Sequence, residues 1–340
     1  MSTAVAVLGG GSFGTAMAHL ASFNCDRVTL WARDPDGVLQ MQESRENERY
    51  LPGFEINSSV RFTNRLDEAL DGAQIVLLAV PSQSFRVLAQ MVAQRIGADV
   101  VMLSGTKGVE SGNFRLMSQI LDEELPENTN AVVSGPNLAV EIMERKFTGT
   151  VIAARCEDTA VHLREIFMSP TFIPYYNPDL LGVQIAGALK NIYALMAGYM
   201  HSRNVGFNAN ATLLTRALAE MMRFGVALGA SPTTFLGIAG VGDLVATCTS
   251  PLSRNYQLGH MVGNGLSPSD AMSSMKQVAE GVNTLTLVYE KKAELGVRMP
   301  IVDGMWEMWH ESKSLRRLLA EWKESDLAAD IAYHPDAGRD

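Results

Sequence analysis

Short β-branched runs alternate with helical patterns from Ala4 to about Tyr176, and this alternation constrains the fold more than any other feature of the chain. Strands that alternate with helices are typical of a parallel sheet wound with crossover helices. Two of the runs, Gln74–Val80 and Ala131–Ser134, are almost uniformly apolar, which predicts central strands covered on both faces. The predicted strands are Val5–Leu8, Val28–Trp31, Ile75–Val80, Val100–Ser104, Ala131–Ser134 and Thr150–Ala154.

After Pro178 the pattern changes to long apolar helical segments with few strand candidates. We therefore expect an α/β domain over residues 1–177 and an all-α domain over residues 178–340, with a polar tail that frays from about residue 326. No low-complexity linker separates the two halves, so we expect a shared interface that holds the functional site. The predicted helices are 180–201, 211–228, 267–276, 283–295 and 305–319.

The apolar stretch from Val183 to Met200 has the length of a membrane span. Lys190 and Asn191 lie in its middle, however, where a bilayer would disfavour them. We interpret it as a buried helix of a globular core, and we predict no integral membrane segment.

Gly9, Gly11 and Gly14 form a G-x-G-x-x-G fingerprint. Its glycines permit a tight turn, close approach of a pyrophosphate, and packing of a helix on a strand. A predicted strand precedes it and a predicted helix, 15–23, follows, so the free N–H groups of that helix would face a diphosphate. We predict a Rossmann-type, doubly wound nucleotide-binding domain that holds NAD or NADP through Gly9, Gly11, Ser12, Phe13 and Gly14.

Arg33 occupies the end of the second predicted strand, where an NAD enzyme usually places an acid for the ribose hydroxyls. An arginine there can pair with a 2′-phosphate, which favours NADP. Asp34, one residue later, keeps NAD possible. The sequence therefore leaves the coenzyme open, with NADP slightly favoured.

The charge balance and the cysteine usage exclude several classes of protein. There are 28 Lys and Arg against 37 Asp and Glu, a net charge of −9, which disfavours nucleic acid as a partner. Cys25, Cys156 and Cys248 lie far apart, and the six histidines lack ligand spacing, so we predict neither a disulfide framework nor a metal site. The N-terminal residues show no secretory pattern, and we expect a cytoplasmic protein.

Three later segments carry candidate chemistry. The segment G-A-L-K-N places Lys190 inside an apolar helix, where an unpaired charge is costly or its pKa shifts. The glycine-rich segment around Asp243 contains one carboxylate among apolar residues. Ser253, Arg254 and Asn255 offer a fork of donors suited to a phosphate. Ordinary alternatives are a snorkelling lysine, a turn-forming carboxylate and a surface salt bridge.

Together with N-x-x-Y-L-P-G from Asn47, S-G-T-K-G from Ser104, S-G-P-N from Ser134 and E-G-V from Glu280, these segments complete a family pattern. Over roughly residues 4–325 the chain resembles the NAD(P)-dependent glycerol-3-phosphate dehydrogenases. That resemblance implies reversible hydride transfer between NAD(P)H and dihydroxyacetone phosphate, giving sn-glycerol 3-phosphate for glycerophospholipid synthesis. It also implies a homodimer.

The resemblance assigns roles to individual residues. Lys190 would be the general acid/base on the C2 oxygen, Asp243 would orient it, and Arg254 would bind the phosphate. The substrate residues would be Lys107, Gly135, Asn137, Lys190, Asp243, Thr247, Ser253, Arg254 and Asn255. Beyond the fingerprint, the cofactor residues would be Arg33, Lys107, Ala139, Arg254, Val278 and Glu280.

Two positions depart from the family pattern. Asn137 stands where a small residue is common, and it can still hydrogen-bond a substrate hydroxyl. Met196 stands where glycine or alanine is usual, and we expect it to contribute to packing.

Two other functions compete with this interpretation. A related hydroxy-acid dehydrogenase could use Arg254 for a substrate carboxylate. A non-catalytic dinucleotide-sensing module could keep the same fold, although intact Lys190 and Asp243 argue against it. In each case the expected partner is a small molecule.

Overall fold

A computed structural model of the chain describes residues 3–275 and 279–311. Eight strands form one sheet in the order β10-β9-β8-β7-β6-β1-β2-β5, and β3 and β4 form a separate hairpin. The strands are β1 (Ala4–Leu8), β2 (Arg27–Trp31), β3 (Glu46–Asn47), β4 (Leu51–Glu55), β5 (Val60–Thr63), β6 (Ile75–Leu78), β7 (Val101–Ser104), β8 (Asn130–Ser134), β9 (Thr148–Ala154) and β10 (Phe172–Asn177).

Helices cover both faces of this sheet and predominate after β10 in the described residues. Short 3-10 and π-helical turns at Pro232–Leu236 and Ile238–Gly242 precede α10. The helices are α1 (Ser12–Ala21), α2 (Pro35–Ser44), α3 (Leu66–Leu70), α4 (Ser82–Ala93), α5 (Met117–Glu124), α6 (Ala139–Met143), α7 (Glu157–Phe167), α8 (Leu180–Ser202), α9 (Phe207–Ala227), α10 (Asp243–Thr249), α11 (Arg254–Gly263), α12 (Pro268–Ser274), α13 (Gly281–Glu294) and α14 (Pro300–His310).

The predicted α/β class with a doubly wound sheet is confirmed, and β6 and β8 are central strands as expected. Alternate residues of β6 pack into different cores: Ile75 and Leu77 lie in one, Val76 and Leu78 in the other. Because both faces of the strand are covered, every position is apolar. The order β5-β2-β1-β6-β7-β8 places the reversal of the sheet between β1 and β6, where such folds bind dinucleotides.

The expectation of a purely parallel sheet is wrong at one strand pair. β9 runs antiparallel to β8, because the connection between them makes no crossover and contains only the five-residue helix α6. The sequence analysis also missed β5, β10 and the β3-β4 hairpin. β10 carries Pro174 and pairs only with β9 at the edge of the sheet, where a missing N–H is tolerated.

Helix α8 is the centre of the helical half. It is long and apolar enough to cross a bilayer, but 94% of its most apolar window is buried inside the protein, as predicted for a core helix. α11 crosses it closely, since a Cβ on Gly198 would lie 1.9 Å from the Tyr256 carbonyl oxygen. Met196 is fully buried in this core, as expected for a packing residue.

The other predicted helices differ from the structure mainly in their bounds. α9, α12 and α13 overlap the predicted segments, whereas α14 begins at Pro300, five residues before the predicted start. The separate short helix α10 was not predicted as a helix, whereas a helix start near Ser253 was considered, and α11 begins at Arg254. Residues 312–319 of the last predicted helix and the tail from about 326 lie outside the described residues.

Candidate active site

The glycine fingerprint forms the turn between β1 and α1. Gly9 has φ +131°, and a Cβ there would lie 2.3 Å from the Ala79 carbonyl oxygen. A Cβ on Gly14 would lie 2.0 Å from the Gly9 oxygen, so both positions require glycine. A Cβ on Gly11, in contrast, would meet no described atom within 4 Å. The turn is thus packed against the sheet and open above α1, which fits a dinucleotide diphosphate at the helix N-terminus.

The N-x-x-Y segment braces this turn. Asn47 donates from Nδ2 to the Gly10 oxygen at 2.9 Å and to Thr15 Oγ1 at 2.8 Å. Ser12 donates from Oγ to the Tyr50 oxygen at 2.7 Å. The Asn47 contacts explain the motif, although the sequence analysis assigned this residue no role.

Arg33 and Asp34 follow β2 and are both exposed. Asp34 caps α2 by accepting from the Asp36 N–H at 3.3 Å, and it lies 3.5 Å from Arg49 in an ion pair. The carboxylate that keeps NAD possible is therefore already engaged with α2 and with a guanidinium. Arg49 places a positive charge beside it, and Arg33 precedes it in the chain.

Lys190 lies on α8 with 6% exposure. Its Nζ donates to Asp243 Oδ1, and to Thr247 Oγ1 at 2.7 Å. Asp243, at the start of α10, is 1% exposed and also accepts from Lys107 Nζ at 2.7 Å. Lys107 donates in addition to the Gly135 carbonyl oxygen at 2.7 Å. One buried carboxylate thus lies between the side-chain nitrogens of two lysines.

Burial lowers the pKa of the Lys190 ammonium to about 7, while Asp243 opposes this shift and Lys107 adds to it. The desolvation of a charged amine accounts for the sign. A lysine in this state can both hold and release a proton near neutral pH, which suits general acid/base chemistry.

The cluster lies next to the fingerprint. A Cβ on Gly105 would be 2.7 Å from the ring of Phe13, and Lys107 follows two residues later in the same loop after β7. A Cβ on Gly187, one turn before Lys190, would lie 2.8 Å from Ser134 Oγ. The loops after β7 and β8 therefore connect the nucleotide turn with the lysine.

Ser134 and Asn137 present buried polar atoms to this region. Ser134 Oγ and both amide atoms of Asn137 find no hydrogen-bond partner among residues 3–275 and 279–311. Buried polar groups are nearly always satisfied in folded proteins. The amide of Asn137 thus fits a place where a polar ligand completes the hydrogen bonding.

Arg254 begins α11, and Ser253 caps the same helix by accepting from the Tyr256 N–H at 3.3 Å. Arg254 is exposed to solvent, and the protein atoms around its guanidinium partly desolvate it. That crowding lowers the pKa of Arg254, and the nearby Glu280 carboxylate opposes the shift. A guanidinium at a helix N-terminus suits a phosphate.

The remaining predicted residues fall into different environments. Asn255 is buried and bonded to the side chain of Asn191 and to the Gly281 N–H. Ala139 packs against the core of the nucleotide domain. Glu280 accepts from both the N–H and the hydroxyl of Ser82, a contact that the sequence analysis missed. Val278 lies outside the described residues.

Comparison with known proteins identifies the family. Residues 4–160 match the model for the N-terminus of NAD-dependent glycerol-3-phosphate dehydrogenase, and residues 179–320 match the model for its C-terminus. The chain belongs to this family. The NAD-dependent glycerol-3-phosphate dehydrogenases are oxidoreductases with a dinucleotide-binding domain, as the motifs predicted.

Individual glycerol-3-phosphate dehydrogenases match over nearly the whole chain. The glycerol-3-phosphate dehydrogenase [NAD(P)+] of Teredinibacter turnerae is 46% identical over 327 residues, which is 96% of each chain. That of Alcanivorax borkumensis is 44% identical over 328 residues, again 96% of each. A crystal structure of glycerol-3-phosphate dehydrogenase from Coxiella burnetii superposes with a TM-score of 0.91 at 32% identity, covering 95% of this chain and 99% of that one.

Proposed function

We propose that this protein is a glycerol-3-phosphate dehydrogenase that interconverts dihydroxyacetone phosphate and sn-glycerol 3-phosphate with NADPH or NADH. The observation that carries the proposal is the cluster of buried Lys190 and Asp243 with half-buried Lys107. Through the loop after β7, this cluster lies close to the fingerprint turn. A dinucleotide site and a tunable proton donor at one cleft are the two parts that a ketone reductase needs.

In the proposed reaction Lys190 donates a proton to the C2 oxygen during ketone reduction and accepts it during alcohol oxidation. When bound, the nicotinamide supplies or takes up the hydride at C2. Asp243 fixes the ammonium in place and does not transfer the proton. Lys107 and Asn137 contact the substrate from the nucleotide side. Lys107 is bonded to Asp243 and Gly135, and Asn137, two residues after Gly135, has unbonded buried amide atoms, which supports this.

Arg254 binds the substrate phosphate, with the N-terminal turn of α11 adding partial positive charge. The hydroxyl of Ser253 caps this helix, and the amide of Asn255 is bonded to Asn191 and Gly281. Both residues therefore stabilise the helix start that carries Arg254. Thr247 accepts a hydrogen bond from Lys190, so its main role is to position that lysine.

Substituting Arg254 tests the phosphate site. We expect Arg254→Ala to raise the KM for dihydroxyacetone phosphate by about 30-fold or more, because a charge pair in a protein cleft is lost. Initial rates against substrate concentration measure this, with activity toward unphosphorylated dihydroxyacetone as the control that should stay unchanged. An unaltered KM for the phosphorylated ketone would remove Arg254 from the site.

We infer that the coenzyme is NADP rather than NAD. The carboxylate of Asp34 already bonds the start of α2 and Arg49, so it is less available to a ribose hydroxyl. Arg33 and Arg49 supply positive charge for a 2′-phosphate. The oxidation rates of NADPH and NADH, each followed by the loss of absorbance at saturating ketone, test this choice.

The assay that tests the function follows NADPH, and separately NADH, after addition of dihydroxyacetone phosphate. We expect rapid oxidation, faster with NADPH, and a rate with unphosphorylated dihydroxyacetone lower by about 100-fold. Equal rates with both ketones would indicate a different dehydrogenase. Folded protein that binds coenzyme but oxidises it with neither ketone would favour the dinucleotide-sensing module.

Further proposals concern the domain division, the cellular location, the oligomeric state and the metabolic role. We propose that residues 1–177 form the NAD(P)-binding domain and residues 178–340 the helical substrate and catalytic domain, supported by the end of β10 at Asn177 and the start of α8 at Leu180. We also propose a cytoplasmic homodimer whose sn-glycerol 3-phosphate serves glycerophospholipid synthesis.

A further inference from the structure

We propose that Arg86, on α4, is a positioning residue: through its contact with Glu110 it holds Lys107 in the place where Lys107 meets Asp243. Residues 105–116, the Lys107 loop, join β7 to α5 and contain both Lys107 and Glu110. The kinetic part of this proposal rests on the proposed function. The ionic contacts that fix the loop are independent of it.

The guanidinium of Arg86 binds the Lys107 loop at two points of one carboxylate. Its Nε donates to Glu110 Oε1 at 2.6 Å, and its Nη2 donates to Glu110 Oε2 at 2.7 Å. Such a fork fixes the orientation of the carboxylate as well as its distance. Asn113, three residues further along the loop, donates to the same Glu110 Oε2 at 2.7 Å. The carboxylate therefore connects α4 to two positions of the loop.

Two glutamates at the end of α5 surround the same guanidinium. Nη2 of Arg86 donates to Glu123 Oε2 at 2.6 Å, and Nη1 donates to Glu124 Oε1. The exposed fraction of the side chain is 25% for Arg86, 20% for Glu124 and 18% for Glu110. A half-buried network of this kind contributes more than an isolated surface ion pair. Without Arg86 the three carboxylates would repel one another, so the loop would no longer be held against α4.

The contact with Arg86 lies close to Lys107 along the loop. Glu110 follows Lys107 by three residues, and a Cβ on Gly108 between them would lie 2.9 Å from Ser82 Cβ. Ser82 and Arg86 are four residues apart on α4 and therefore lie on one face of that helix. The loop thus follows this face of α4 over one turn, and Lys107 lies at one end of the segment that the helix holds.

The other side of the Lys107 loop packs into the helical half of the protein. Val109 is 2% exposed and Leu116 is 3% exposed, and both belong to the hydrophobic core around α8. The loop is therefore a layer between α4 and the helical core. Arg86 determines how this layer is held on the α4 side.

Removing the guanidinium should displace Lys107 while Lys190 stays in place on α8. Lys107 lowers the pKa of Lys190, whereas Asp243 raises it. Cys248 also lies near Lys190, but burial raises the pKa of its thiol and keeps it neutral. In Arg86→Ala the pKa of Lys190 should therefore be higher. Because ketone reduction needs the protonated lysine, the alkaline limb of the pH profile of kcat/KM should move to higher pH.

The rates of Arg86→Ala and its related variants give the size of the effect. A misplacement of about 1 Å between reacting groups costs about 100-fold, and here only a neighbour of Lys190 moves, so we expect kcat/KM for dihydroxyacetone phosphate to fall by about 30-fold. Arg86→Lys keeps the charge but cannot form the fork, and it should show part of both effects. Glu110→Gln should move the limb in the same direction. The double variant Arg86→Ala/Glu110→Gln should be no slower than Arg86→Ala.

Arg155→Ala is the matched control. Arg155 also forks onto a carboxylate of α5, since its Nη1 donates to Asp122 Oδ1 at 3.0 Å and its Nη2 donates to Asp122 Oδ2 at 2.5 Å. This control should leave kcat/KM and the alkaline limb unchanged. A lower melting temperature of Arg86→Ala with a parental alkaline limb would mean that Arg86 only stabilises the fold, and it would overturn the proposal.

Hydrogen exchange of the coenzyme-free protein separates this proposal from the proposed function. Arg86→Ala should exchange the amides of residues 107–116 several-fold faster than Arg155→Ala does. If the wild-type protein reduced no ketone, the proposed function would fail, and with it the kinetic role of Arg86, but faster exchange would still establish that Arg86 holds the loop. Unchanged exchange in an active enzyme would overturn the proposal and leave the function standing. If Arg86→Ala fails to fold, Arg86→Lys and Glu110→Gln carry the same comparisons.

Discussion

Replacing Lys190 with alanine is expected to lower kcat for dihydroxyacetone phosphate reduction by about 1,000-fold, within the range that a positioned general acid contributes. Lys190 is the buried amine whose pKa is lowered by desolvation to about 7. Without it, the proton for the C2 oxygen must come from water or from Lys107, whose ammonium is held by Gly135 and Asp243. Initial rates at saturating coenzyme and ketone measure the loss.

Binding of the coenzyme should survive this substitution. Lys190 lies on α8, outside the fingerprint turn, so the Kd for NADPH should remain within about twofold of the parent while turnover disappears. Lys146→Ala is a suitable control, because Lys146 is an exposed lysine that pairs with Glu144 at the surface. Activity of Lys190→Ala within about tenfold of the parent would reject the general-acid role.

The part of the fold that the sequence predicts is the part encoded by local periodicity. β6 is recognisable because covering both faces makes Ile75 to Leu78 apolar at every position. The fingerprint is recognisable because Gly9 and Gly14 have no space for a side chain. Each of these requirements restricts the residue types within one short segment, so a single sequence displays it.

What the sequence does not display is pairing between distant segments. β10 contains a proline and lies at an edge, so its pattern is weak, and the direction of β9 depends on how the chain returns after α6. The contact between Ser82 and Glu280 has no local spacing at all. Similarly, Asp34 has the residue type expected for a ribose ligand, yet its engagement with α2 and Arg49 depends on the three-dimensional arrangement.

In the candidate site, too, the sequence points to single residues, whereas the contacts between them depend on the fold. Lys190 stands out because a charge in an apolar helix demands an explanation, and Asp243 because it is a lone carboxylate in a glycine-rich segment. That the two meet, from positions 53 residues apart, came from the family resemblance. The role of Lys107 as the second partner of Asp243 required the structure.

Replacing Asp243 with asparagine should disturb both the chemistry and the stability of the protein. The carboxylate is the group that raises the pKa of Lys190 against burial and against Lys107. Its loss lowers that pKa further, so less of the lysine is protonated at neutral pH. Because ketone reduction needs the protonated form, we expect the alkaline limb of the pH profile of kcat/KM to move to lower pH. Two ammonium groups left without their buried partner should also reduce the free energy of unfolding by about 3 kcal/mol.

A pH profile of reduction, measured with thermal unfolding of the same variant, tests this expectation. Thr247→Val is the matched control, since it removes the hydroxyl that Lys190 bonds at 2.7 Å and keeps the carboxylate. The limb should move much less in that variant, because a neutral partner influences the charged form less than an opposite charge does. An Asp243→Asn enzyme that is slow but has its alkaline limb at the parental pH would show that Asp243 orients the lysine without tuning it. A parental rate at every pH would remove Asp243 from the mechanism, because the only buried carboxylate bonded to both Lys190 and Lys107 in the described chain would then be dispensable.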